Sequence, residues 1–232
     1  MPAINFHDDA DVVAPQLLGA TLAFGPVAIQ ITEVEAYLHG VDEAAHSFRG
    51  KTASNAALWG PGGHMYVYIS YGIHRCCNLV CGPDGTGQGC LLRAGRVIAG
   101  ESQARSRRGD VGFPRLASGP GNIGKAFGFD TEHNHLPVDQ VAQNWEDSQL
   151  VDESSSGGSH SVGVNAAADN GAEPTVAEAG SGATPHPRLY IRSEEPEWVA
   201  GPRIGISKNV DAPLRFWIPH DKTVTSPKRP PS

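Results

Sequence analysis

Two glutamates two residues apart, Glu33 and Glu35, lie in the run Glu33-Val34-Glu35-Ala36-Tyr37, and Asp42-Glu43-Ala44-Ala45-His46-Ser47 follows it. On a strand both carboxylates share one face. Glu35 then stands at the strand end, beside Tyr37 and within a loop's reach of His46. A carboxylate near aromatic rings can act as a general base once its surroundings tune it. Spacing alone favours the plainer alternative, an edge strand carrying solvated acids. A second cluster, Met65-Tyr66-Val67-Tyr68-Ile69-Ser70-Tyr71-Gly72, puts Tyr66 and Tyr68 on one strand face and Tyr71 in the turn after it. Such rings can stack on a nucleobase, or pack in a core, the commoner use of a tyrosine-rich strand. The third pair is Asn78, inside the apolar run Cys76–Cys81, and Arg93, after Leu91-Leu92. A buried Asn needs a partner. Arg93 reads equally as half of a structural ion pair.

The elements that must position these residues follow from periodicity. Residues 27–36 alternate apolar and polar and predict a strand after the turn signal Gly25-Pro26. Residues 65–69, 75–81 and 89–94 predict three more strands, joined through Gly72 and through Gly82–Gly87 as an antiparallel meander. Residues 8–18 predict a first helix stopped by Gly19, with Pro15 limiting its length. Residues 118–127 predict another, with Ser118 as N-cap and Pro120 in the first turn. Strand character returns at 188–192, 203–207 and 214–218. Between these blocks, residues 154–186 are rich in Gly, Ser, Ala and acids and hold no aromatic, Leu or Ile. A segment so poor in apolar side chains is expected to be a disordered acidic insertion. The tail from 226 is expected to be loose. The fold class is α+β: a single domain over 1–232 with a curved, mainly antiparallel sheet flanked by helices.

Composition narrows the partners. No stretch approaches the roughly 18 apolar residues of a membrane span. Residues 1–20 carry Asp8, Asp9 and Asp11 and no Lys or Arg, unlike a secretory signal. A cytoplasmic site is expected. Cys76, Cys77, Cys81 and Cys90 lack paired zinc-ligand spacing, and the first two would face opposite sides of a strand, so they read as buried thiols and no metal is expected. The net charge of −7 argues against a polyanion partner. Yet residues 152–187 contribute five acids and no Lys or Arg, while residues 93–125 hold seven Lys or Arg against two acids. Only the face that meets phosphate need be basic. A solvated surface is the plainer account of that run.

Taken in order, EVEAY, DEAAHS, MYVYISYG, the strand Asn78, LLRA and SGPGNIGKAF resemble the alkyladenine (3-methyladenine) DNA glycosylase family, over about 17–147 and again over about 188–219. The resemblance implies an enzyme that flips an alkylated or deaminated purine out of duplex DNA and hydrolyses its glycosidic bond without a cofactor. It implies Glu35 as the base that activates water, Tyr37, His46 and Tyr68 as walls around the extruded base, and Asn78 as a pocket-floor residue disfavouring guanine's amine. Tyr71 would fill the gap left in the helix. Tyr66 and Arg93 would support the site, and the Gly-rich segment at Ser118 and Gly119 would lie near phosphate. A monomer acting on damaged duplex DNA, in the bacterial cytosol or nucleoid and away from any membrane, is the implied arrangement. His74 and Arg75 depart from the aromatics expected there in vertebrate members. Lys51 is the only Lys before 125 and lies outside every motif, so hydrolysis fits better than a lyase. Pro2, exposed by loss of Met1, lacks the acidic motif that accompanies such an amine elsewhere.

Three rivals remain at this level. Residues 116–126 loosely resemble a helix-hairpin-helix loop, though that superfamily is all-helical. A non-catalytic module for distorted nucleic acid would keep Tyr71 without needing Glu35. A nucleoside-cleaving or nucleoside-transferring enzyme would need neither Tyr71 nor the basic run.

Overall fold

Apolar side chains at alternate positions, bounded by turn residues, build one nine-stranded sheet in the computed structural model, which describes residues 2–148 and 186–226. The expected disordered insertion at 154–186, apart from His186, and the tail beyond 226 lie outside these residues. Helix α1 (Ala10–Leu17) leads into a hairpin of β1 (Thr21–Phe24) and β2 (Val27–Tyr37). The meander follows as expected, β3 (Met65–Ser70), β4 (His74–Cys81) and β5 (Gln88–Ala99), each antiparallel to the next. β5 turns back to pair with β2, giving the path β3-β4-β5-β2-β1. Register shifts between β2 and β5 at Ala28/Ile29 and around Glu33 bend both strands, as bulges do, and curl the sheet.

Helices α2 (Glu101–Arg108) and α3 (Pro120–Phe127) follow β5. Gly124 lets α3 lie on β4, since a Cβ there would collide with the Arg75 carbonyl. Beyond come β6 (Asp139–Val141), β7 (Arg188–Tyr190), β8 (Val199–Gly201) and β9 (Arg215–Trp217). β7 pairs with β1, and with β6 in the one parallel pairing among the described residues. β9 pairs with the second half of β2, past the end of β1, and β8 with β9. Chain on both sides of the acidic segment therefore shares one sheet. Val34, Ala36, Val67, Cys77, Leu79, Cys90 and Leu92 point to one side and form the core with Leu17, Ile123 and Phe127.

Several expectations need correction. Residues 203–207 form no strand: Gly205 has φ +80°, and the Ile204 N–H is spent on a side chain rather than a ladder. Ser118 is not the cap of α3. Gly119 holds that position, and Ser118 instead bridges to Ala94 while its carbonyl accepts from the Asn122 side chain. β5 runs five residues past Ala94. The short strands β1, β6 and β8 and the polar helix α2 had no expected counterpart. All four cysteines are buried and free. Among the described residues no helix is long and apolar enough to cross a membrane.

Candidate active site

Strand pairing sets Tyr66 opposite Asn78, Asn78 opposite Leu91, Leu91 opposite Glu35, and Glu35 opposite Arg215. Directly opposed residues point to the same side of a sheet, so this row crosses five strands on the face away from the core. Alternation adds Tyr68, Cys76, Gly89, Arg93 and Tyr37 to that face. A cavity of about 420 Å³ opens over it, lined by Tyr37, His46, Tyr66, Tyr68, Asn78 and Arg93, with Tyr71 at its rim. The loop 204–208 forms its far wall. That volume lies within the range of small-molecule sites.

Glu35 is 0 % exposed and sits beneath the lining, on an interior strand. The reading of Glu33 and Glu35 as solvated edge acids is therefore wrong. Both are desolvated, which requires paired charge, and the partners come from distant chain. Glu35 Oε1 accepts from the Ile204 backbone N–H (2.8 Å) and pairs with Arg93 Nη1 (3.2 Å), while Oε2 accepts from the Tyr37 hydroxyl (2.9 Å). Glu33 Oε1 accepts from Arg93 Nε (3.0 Å) and Arg215 Nε (2.6 Å). Deeper in, Arg203 grips Asp42 with two hydrogen bonds of 2.6 and 2.7 Å, donates to the Ala36 carbonyl, and lies 4.5 Å from the Tyr37 ring centroid. Three buried carboxylates thus meet three buried guanidiniums. Burial works against the Arg93 charge, but Glu35 and Glu33 outweigh it and raise its pKa.

The aromatic wall is equally ordered. His46 and Tyr68 meet edge to face, centroids 4.5 Å apart, and Tyr68 stacks on Tyr66 at 5.6 Å. His46 Nδ1 lies 2.9 Å from the Tyr66 hydroxyl. Burial pushes the Tyr66 phenol up to about 12 and Tyr68 higher still. Burial first, then the Glu35 carboxylate, raises Tyr37 well above its ordinary value. All three remain hydroxyl donors at neutral pH. Burial lowers the His46 pKa, so its ring is neutral there. Asn78 donates from Nδ2 to the Tyr66 carbonyl (3.2 Å), the partner that a buried amide requires.

The cavity thus brings together Tyr37, His46, Tyr66, Tyr68, Asn78, Arg93 and Tyr71, with Glu35 directly behind Tyr37 and Arg93. It does not include Ser118 or Gly119; only their neighbour Pro120 reaches its edge. Tyr71 stands 87 % exposed at φ +49° between two exposed isoleucines, Ile69 and Ile73. Part of the basic run is structural: Arg107 donates to the Ala126 and Phe127 carbonyls, and Arg108 to that of Leu116. Sequence reasoning missed Arg203, Arg215 and the Ile204 amide. Asp42 stood in a noted motif without a role. Buried charge needs a counter-charge, so the surplus of motif acids was the one available signal.

Comparison with known proteins gives the family. Residues 4–174 match the Methylpurine-DNA glycosylase (MPG) family. A Corynebacterium glutamicum protein is 52% identical over 96% of this chain and 95% of its own length. One from Corynebacterium efficiens is 51% identical over 96% and 94%, and one from Cutibacterium acnes 44% over 97% and 99%. Each is named "Putative 3-methyladenine DNA glycosylase".

Proposed function

The chain belongs to the methylpurine-DNA glycosylase family, and from that premise we propose that it flips alkylated or deaminated purines out of duplex DNA and excises them by hydrolysis at Glu35. That it is a DNA glycosylase of the 3-methyladenine type follows from family membership. The observation that carries the proposal is the Glu35 carboxylate, buried behind an aromatic-lined cavity and held by two hydrogen-bond donors, the Ile204 amide and the Tyr37 hydroxyl, and by the Arg93 ion pair.

A carboxylate offers about four acceptor positions. Oε2 uses one of its two on Tyr37, leaving the other for a water proton. As that proton passes to Oε2, the water oxygen bonds to the sugar C1′ and the C1′–N bond breaks, its electron pair leaving with the purine. An N-alkylated purine starts as a cation and departs neutral, so it needs no added proton, whereas a deaminated purine starts neutral, departs as an anion and takes its proton from solvent. The negative carboxylate also stabilises the oxocarbenium-like sugar. A cationic base stacks well on Tyr37 and on the His46–Tyr68 pair, and a neutral His46 opposes it with no like charge. The free Asn78 Oδ1 would meet incoming base edges and set selectivity. Tyr71, exposed on its turn, would occupy the vacated place in the duplex. The Gly-rich segment around Ser118 and Gly119 would sit toward phosphate, outside the cavity. The enzyme acts as a monomer without a cofactor, in the bacterial cytosol or nucleoid.

Incubation with dimethyl sulfate-treated duplex DNA tests this. Free 3-methyladenine should appear by chromatography, with alkali-labile abasic sites left behind. Borohydride should trap no protein–DNA adduct. Absence of released base rejects the excision reading, and a trapped adduct rejects the hydrolytic one.

A further inference from the structure

Residues 221–225 follow the last strand and carry no role in the site as described so far. Their contacts form a regular series. Asp221 takes Arg96 Nη2 (2.6 Å), Thr223 Oγ1 meets Thr32 Oγ1 (2.6 Å), and the Thr225 N–H donates to Glu33 Oε2 (2.6 Å). Every second residue is thus pinned to β5 or β2, and Asp221 also caps Thr223 at its N–H and hydroxyl. The segment ends on the charge cluster beneath the cavity. The Thr225 hydroxyl lies 2.7 and 2.9 Å from the Glu33 oxygens. Having one proton, it donates to that carboxylate and accepts from Arg93 Nη2 at 3.2 Å.

Arg93 therefore has each edge of its guanidinium assigned: Nε to Glu33, Nη2 to Thr225, Nη1 to Glu35. Glu33 and Glu35 compete for this one cation. Arg215 and both Thr225 donors satisfy Glu33, which leaves Nη1 for Glu35. Without the hydroxyl, Nη2 loses its acceptor and Glu33 loses a donor, so the guanidinium is free to rotate toward Glu33. A planar fork holds its direction only while its edges are engaged.

We infer that Thr225 is a positioning residue for the excision reaction, holding Arg93 so that it orients Glu35. The inference rests on the proposed role of Glu35. The test is single-turnover release of 3-methyladenine from methylated duplex at saturating protein, beside affinity for an abasic-site analogue and melting temperature. Thr225→Val should slow excision about tenfold to hundredfold, the scale of a lost hydrogen bond to a charged group, with affinity unchanged. Thr225→Ser should restore most of the rate. A valine variant as fast as the parent overturns the inference, and so does a serine variant as slow as valine. If the valine variant is unfolded at the assay temperature, Thr225→Ala is read instead. Glu35→Gln separates the two claims: if it keeps turnover, the role of Glu35 is wrong. If it is inactive while Thr225→Val matches the parent, only the positioning role is wrong.

Discussion

The floor of the cavity and the β3–β4 turn at its rim are built on opposite terms. In the floor, Glu33, Glu35, Asp42, Arg93, Arg203 and Arg215 are buried and bonded. In the turn, Ile69, Tyr71 and Ile73 are exposed apolar side chains. Desolvated charge tolerates one geometry, because a displaced partner leaves an uncompensated ion. Exposed apolar side chains gain only when something else buries them. On the proposed function, chemistry at a fixed atom falls to the first kind of structure and insertion into a duplex to the second. Mutations should divide accordingly, those in the floor altering stability or rate and those in the turn altering affinity.

The contrast breaks most visibly at Arg203. Arg203→Met leaves Asp42 buried without its cation and should cost about 3–5 kcal/mol of stability, read as a large fall in melting temperature. A small fall would mean the floor is not the rigid unit described. At the turn, Tyr71→Ala should weaken binding to an abasic-analogue duplex by about 1–3 kcal/mol while leaving the melting temperature unchanged. Loss of stability instead would make the turn part of the scaffold.

A smaller effect concerns pH. Burial lowers the His46 pKa, so the unfolded chain takes up this proton more readily than the folded one. Stability from neutral His46 is complete above the ordinary imidazole value of about 6.5 and falls as pH drops below it. Protonated His46 would also oppose a cationic base. Excision of a cationic methylpurine should therefore decline on the acid side, and His46→Gln should flatten that decline. An identical acid limb in both proteins would exclude His46 as its source.

The part of the site that was legible in the sequence lay on strands. Tyr66, Asn78, Arg93 and Glu35 fall on elements whose two-residue alternation is visible locally, and pairing four such strands puts them on one face. Periodicity carries no information about which charges meet. Arg93 reaches Glu33 across 60 residues, Arg215 across 182 and Thr225 across 192, which is why spacing alone suggested solvated acids. Residues 203–207 carry a strand-like alternation in Ile204 and Ile206, although Gly205 and the bond to Glu35 hold them irregular. Strands of three residues such as β6 and β8 are too short to show a period. α2 is too polar to show an apolar stripe; its ends are held by Arg105–Glu101 and Arg108–Leu116 contacts.

On the proposed mechanism Glu35 performs the water chemistry while the surrounding residues bind and select. The most direct measurement compares Glu35→Gln with the parent on methylated duplex under single turnover, with affinity for an abasic-analogue duplex measured on the same preparations. Glutamine keeps the shape and the acceptor oxygen but cannot take the proton. The rate should fall by about 10³-fold or more, the scale of losing general-base catalysis and its charge stabilisation, with affinity within a few fold of the parent. Turnover close to the parent's, at equal affinity, would contradict that role of Glu35.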